Sequence, residues 1–242
     1  MKKSLCVILT IMTLFSMAHA QNLPLEKILS NHYEAIGLEK LQKINTIIMT
    51  GTMVQQDAMP MKIIRMRHDQ YLLQFDIQDI TAYQGYDGQT AWWTTPWTGN
   101  PKPMVMPDDR AKDVKSKSDF DGLLYNWKIK GHVVELLGLD SIEKSPVYKL
   151  KITKKDNGIE FLFLDAKKFL LLKRLYYRTV RGKEVPVEIY FRDYRSVEGI
   201  LFSFTQETYM GGQPYNAIEF DSIELNKPVD NKIFKMPLEK AP

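Results

Sequence analysis

The chain is nearly without cysteine. Its one cysteine, Cys6, falls within the first twenty residues, and these read as a Sec signal peptide. Met1-Lys2-Lys3 gives the basic start, Leu5 to Met17 the apolar run, and Ala18-His19-Ala20 a small-x-small cleavage signature. The run is too short for a permanent bilayer span, and Cys6 lies well before the place of a lipid-modified cysteine. Residues 1–20 are therefore expected to be removed. Residues 21–242 are expected as the exported part, without a lipid anchor, in the periplasm of a Gram-negative bacterium. Lacking cysteine, that part excludes disulfides, thiol chemistry and Cys-based metal sites.

A charge of one sign is missing as well. The chain has 33 Lys and Arg against 29 Asp and Glu; without Lys2 and Lys3 the balance is 31 to 29, a net of about +2. That is no footprint for nucleic acid, which calls for a basic stripe. After the leader no apolar run is long enough for a membrane helix. Residues 21–242 can make one β-rich domain or two small ones, and with no low-complexity linker to divide them a single domain is expected.

Catalytic signatures are also wanting. There is no nucleophile elbow, P-loop or dinucleotide fingerprint. Beyond the leader the histidines are His32, His68 and His132, and none has metal-ligand spacing. His32 sits on the apolar face of a helical pattern and His132 opens a strand pattern, so both read as structural. The pairs Asp76/Asp79, Asp108/Asp109 and Asp119/Asp121 fall at turns and element ends, where Asp serves local hydrogen bonding. No enzyme, metal or cofactor is expected.

What the chain does have is strands. A helix is expected over 24–36, with Leu25, Ile28, Leu29, His32 and Ile36 on one face and Gly37 as its cap, then a short helix over Leu38 to Ile44. Strands follow at 46–56, 60–68, 70–76, 79–86, 89–95, 131–137, 146–154, 159–165, 169–178, 184–193, 201–210 and 214–224. Asp87-Gly88, Asn157-Gly158, Arg181-Gly182, Glu198-Gly199 and Gly211-Gly212 punctuate them as turns. This is an antiparallel meander, and about a dozen strands in one sheet must curl. One excursion breaks it: the proline-studded 94-TTPWTGNPKPMVMP-107 and a helical 108–117, expected as a lid over one end of the sheet.

Aromatic and thioether side chains crowd one span. Of nine methionines beyond the leader, seven lie between 49 and 106, and Trp92, Trp93 and Trp97 fall in the same region. Methionine suits apolar surfaces that accept varied shapes, although ordinary core filling is an equal reading. Neighbours on a strand point to opposite faces, so Trp92 and Trp93 cannot both face inward. Trp92 is assigned to the inner wall; Trp93 and Trp97 are left to the lid or to solvent.

These residues resemble a known family. Asp87-Gly88-x-Thr90-x-Trp92-x-x-x-Pro96 is similar to the DG-x-T-x-W-x-x-x-P hairpin of the LolA-like outer-membrane lipoprotein-sorting family. In 65-RMRHDQYLLQF-75, Arg67 stands at the family's strand arginine, with His68 in place of proline and Arg65 as a competitor. Val229-Asp230-x-x-x-Phe234-x-x-Pro237 is similar to its closing D-x-x-x-F-x-x-P, and 119–138 with 148-YKLKIT-153 looks like the broader LolA-like group. The resemblance implies an α+β, mostly antiparallel β fold: a curled incomplete β-barrel of about 11 strands with an N-terminal helix and a helical lid. It further implies a non-enzymatic carrier that shields lipoprotein acyl chains or other lipids, with membrane-bound transporter or acceptor proteins as partners. The implied lining is Ile64, Met66, Tyr71, Leu73, Phe75, Trp92, Trp93, Trp97, Met104 and Met106, with Arg67 as lid latch. Two other readings stay open. One is a sensor or adaptor of the same fold, binding protein by an edge strand or the Trp93/Trp97 face. The other is a carbohydrate-binding or hydrolytic protein whose tryptophans stack on sugars.

Overall fold

The computed structural model describes residues 23–78 and 80–237; the expected leader and Asp79 lie outside them. Thirteen strands form one antiparallel sheet. They are β1 (Thr46–Val54), β2 (Ala58–Met66), β3 (Gln70–Ile77), β4 (Ile80–Tyr86), β5 (Ala91–Thr95), β6 (Asn100–Val105), β7 (Val133–Ile142), β8 (Ser145–Thr153), β9 (Ile159–Asp165), β10 (Leu171–Val180), β11 (Lys183–Val197), β12 (Ile200–Met210) and β13 (Gln213–Leu225). The order is β6-β5-β4-β3-β2-β1-β13-β12-β11-β10-β9-β8-β7. Two meanders thus meet where β1 pairs with β13, and the sheet's free edges are β6 and β7. A twisted sheet of this width curls, and its inner face is the one the helices cover.

Helix α1 (Leu25–Ile36) starts after Pro24 and stops at Gly37, whose φ of 73° lets its N–H reach the carbonyls of Tyr33 and Glu34. Helix α2 is shorter than expected, ending at Leu41. Helix α3 (Asp108–Ser118) is the expected lid helix. The strand expected at 131–137 runs instead from Val133 to Ile142, so His132 precedes it.

The expectation of a loop over 94–107 needs correcting. A 3-10 turn at Pro96–Thr98 leads into β6, which pairs Met104 with Trp93 and Val105 with Trp92. Pro101 and Pro103 disguise it. Proline cannot donate to a ladder, but on an edge strand half of the donors have no partner to lose.

The outer face of β1–β5 carries its own small core. Cross-strand register lines up Ile48, Ile64, Leu72, Gly85 and Trp92 on that face. The Trp92 indole lies across Gly85, so closely that a Cβ there would come within 2.3 Å of the ring. The C-terminal 3-10 turn, Asn231–Phe234, covers it: Phe234 is fully buried and its carbonyl accepts from Trp92 Nε1 at 2.7 Å. Trp92 to Ala should therefore cost about 3–5 kcal/mol, read as a lower denaturation midpoint in urea; a loss under about 1 kcal/mol would mean the closing turn does not rest on this ring.

Candidate functional site

Much of the inner face is apolar and covered by the chain itself. On the β1–β5 side Ile47, Met49, Met59, Met61, Tyr71, Leu73, Phe75 and Ala82 form one buried cluster. Leu38 and Leu41 of α2, Ala111 and Val114 of α3, and Phe120 complete it. On the other side α1 sets Ile28 and Leu29 against Tyr148, Leu150, Ile152, Leu162 and Leu164 of β8 and β9, with Leu124 beside them. A cleft of about 510 Å³ at the β1–β2 and β3–β4 turns is lined mostly by polar groups, Gln55, Gln56, Asp57, Asp76 and Gln78 among them.

The expected lining residues divide between the two faces. Tyr71, Leu73, Phe75 and Met106 are buried in the inner cluster, and Trp93 packs against it half-buried, opposite Met104. Ile64, Met66 and Trp92 lie on the outer face with Phe234. Trp97 is 54% exposed, its ring centroid 6.3 Å from that of Phe75. The two tryptophans are thus reversed from the sequence reading: Trp93 faces inward and Trp92 outward. The sequence held a signal for this. Gly85, two strand residues before the Asp87-Gly88 turn, offers the bare backbone that a large ring needs.

Arg67 fastens the segment that follows α3. Its Nε donates to Ile44 O at 2.7 Å and Nη2 to Leu41 O at 2.8 Å, tying the end of α2 to β2. Nη1 and Nη2 reach the two Asp121 oxygens at 3.0 and 3.1 Å. The guanidinium lies 4.5 Å from the Phe120 ring centre. Arg65 shares the work rather than competing for it. It donates to Asp119 O and sits over the same ring at 5.4 Å, and burial pulls its guanidinium below its ordinary pKa. Lys130 holds the Asp119 carboxylate at 2.7 and 2.8 Å and also reaches Gly122 O. The pair Asp119/Asp121 is thus spent on structure.

A second polar fastening was missed by the sequence reading. On α3, Asp113, Ser116 and Lys117 share one helical face. Asp113 pairs with Arg178, and Ser116 Oγ accepts from Arg174 at 3.0 Å, both on β10. Arg174 in turn grips Glu160 at 2.6 and 3.0 Å, and Lys154 reaches the same carboxylate at 2.9 Å. Glu160 is only 2% exposed; burial pushes its carboxyl up, but Arg174 and Lys154 outweigh this and hold it low. Two arginines four residues apart in 174-RLYYR-178, and so on one face of a strand, were the available signal. Among the described residues no group of three His, Cys, Asp or Glu side chains could hold a metal ion.

A curled antiparallel sheet whose inner face is plugged by terminal and lid helices defines a class, that of the LolA-like half-barrels. Solved structures bear this out. One is an outer-membrane lipoprotein-sorting protein domain from Vibrio parahaemolyticus, with a TM-score of 0.59 at 14% identity, over 86% of this chain and 96% of that one. Another is a LolA superfamily protein from Nitrosomonas europaea, with 0.61 at 12%, over 87% and 96%. A DUF1329 family protein from Desulfovibrio piger gives 0.60 at 12%, over 86% and 97%. The chain has the LolA-like fold. No protein-family model matches the sequence, and no curated protein does.

The seat of α1 is sensitive to acid. His32 donates from Nδ1 to Phe169 O at 2.7 Å, and burial lowers its pKa below the usual 6.5 by more than this bond raises it. The unfolded chain takes up this proton near pH 6.5 and the folded one resists it. Stability should therefore fall as pH drops from about 6.5 toward the lower folded value, by up to about 1.4 kcal/mol per pH unit. Urea titrations of the native chain and His32→Gln at pH 7.5 and 5.5 check this; equal pH dependence in both would remove His32 as the cause.

Proposed function

We propose that the protein is a periplasmic, non-enzymatic carrier that shelters the acyl chains of lipoproteins or other lipids on its inner face. Residues 1–20 export it, and residues 21–242 act as one binding domain. The observation that carries this reading is the mismatch between the plug and what it covers. The inner face is lined by Met49, Met59, Met61, Tyr71, Leu73 and Phe75, yet α3 buries only Ala111, Val114 and Ser118. Apolar adhesion of so little side chain is worth on the order of 2–3 kcal/mol. Polar contacts through Arg67, Asp121, Asp113 and Arg178 do the rest of the fastening. An acyl chain gains roughly 0.8 kcal/mol per buried methylene, so a few methylenes suffice to replace the helix. Tyr71, Leu73, Phe75, Trp93, Met104 and Met106 are the lining such a chain would meet, with Trp97 at the rim. Ile64, Met66 and Trp92 leave the site, because they stand on the outer face.

A second reading, a partner-binding module, has one observation in its favour. Edge strand β7 has no proline in ten residues and exposes Val133 and Leu137, whereas β6 at the other edge is blunted by Pro101 and Pro103. Such an edge can accept a strand from another chain.

Uptake of an apolar fluorescent dye tests the carrier reading and its latch together. Asp121→Asn breaks the ion pair but leaves Arg67 on the Leu41 and Ile44 carbonyls, so the fold should survive. Dye uptake should rise roughly three- to tenfold in this variant, more in Arg67→Leu, and palmitate should displace the dye from all three proteins. Unaltered uptake would remove Arg67 as the latch; failure of palmitate to compete would sink the carrier.

A further inference from the structure

The segment between α3 and β7 carries an apolar point that nothing covers. Residues 126–132 close as a helical turn: Lys130 N donates to Asn126 O at 2.9 Å, Gly131 N to Lys128 O at 3.1 Å, and His132 N to Trp127 O at 2.8 Å. The last two bonds, with Gly131 at a φ of 73°, make a Schellman closure. Lys130 also ties the turn down, its ammonium held by the Asp119 carboxylate and by Gly122 O. Ile129 nevertheless stands 84% exposed, more than any other large apolar side chain among the described residues. A β-branched side chain on a closed turn has few rotamers to lose, so this point is preformed.

Its surroundings are apolar and cationic. Lys128 Nζ lies 5.0 Å from the centre of the Trp127 ring, which packs half-buried against the α1 cluster. Lys155, in the β8–β9 turn, donates its N–H to His132 Nδ1 at 3.2 Å. Its side-chain carbons run past Gly131, 3.5 Å from where a Cβ would stand. Cross-strand register then sets Val133, Thr153 and Ile159 in one row, with Val133 and Ile159 exposed. Among the described residues Lys128 and Lys155 form no ion pair, and the carboxylates of Asp119, Glu135 and Glu160 are each taken by another lysine. Asp156, in the same turn as Lys155, offsets one of the two charges, and the corner stays cationic.

We propose that this corner rests on a lipid bilayer that contains anionic lipid, with Ile129 entering the headgroup layer. Trp127 suits the boundary between headgroups and acyl chains. Lys128 and Lys155 keep their stems along apolar surface and their ammonium groups among the phosphates. A protein partner fits less well. A stable protein interface buries about 800 Å² on each side, whereas three exposed apolar side chains flanked by lysines make a point, not a face. The proposal stands apart from the carrier reading, since it needs no ligand on the inner face. It does put the contact on the segment that Arg67 and Asp121 fasten.

Flotation of the full exported chain with lipid vesicles tests it. The native protein should float with vesicles of equal parts phosphatidylcholine and phosphatidylglycerol, about fivefold or more better than with phosphatidylcholine alone. Lys128→Gln should weaken binding to the mixed vesicles about fivefold, the worth of one lysine at an anionic surface, and leave the neutral vesicles unaffected. Ile129→Ser should weaken binding to both by about tenfold. Both side chains are exposed, so the urea midpoint should not move in either variant. Ile80→Ser, at an exposed apolar residue on β4, should change nothing. No flotation with the mixed vesicles would overturn the proposal and turn the corner over to a protein partner. Flotation that neither Lys128→Gln nor Ile129→Ser weakens, or that Ile80→Ser weakens as much, would overturn it too.

Discussion

An open sheet of thirteen strands has an inner face that water cannot be left to cover. Its inward residues form two apolar clusters, one from Ile47 and Met49 through Tyr71 and Phe75, the other around Leu150 and Leu162. A closed barrel of fewer strands would fill itself with side chains; this one does not close, because β6 and β7 never pair. The helices answer that requirement. Helices α1 and α2 precede the sheet and seal one part of the concavity, and the long connection from β6 to β7 seals another.

The two seals are made differently, and the difference separates structure from function. Helix α1 is held by apolar contact: Ile28 and Leu29 are buried against β8 and β9, and Tyr33 donates to Leu124 O at 2.7 Å. Burial lifts the Tyr33 phenol to about 12, so it stays a neutral donor at any physiological pH. The α3 region is held mainly by charge, through Arg67 on Asp121 at its end and Arg178 on Asp113 at its middle. Paired charges that are partly exposed exchange readily with water. An apolar helix pulled from an apolar wall must expose both surfaces, and that is far costlier. On the carrier reading, the α3 side is the part of the seal that opens.

Much of this arrangement could be read in the sequence where a residue type has one physical use. Gly37 after an amphipathic run, and Asp87-Gly88 between alternating segments, permitted a helix end and a hairpin and little else. The antiparallel meander and the lid helix were within reach for that reason, whereas Arg67 as a fastening residue came only from the family resemblance. What could not be read depended on partners distant in sequence. The faces of Trp92 and Trp93 follow from where β5 lies against Gly85 and from Phe234, 142 residues on. β6 was hidden by prolines that only an edge position tolerates. Glu160 gave no hint in IEFLFLD that it would be buried, since its burial depends on Arg174 and Lys154 arriving from either side.

The central claim is that the inner face is made to exchange its own helix for an acyl chain. Native mass spectrometry of the protein purified from periplasm, with extraction of whatever travels with it, tests this most directly. The account predicts adducts with the mass of a lipid or acylated peptide, removable by organic solvent and restored on adding palmitate. A single apo species that takes up no hydrophobic ligand would contradict it.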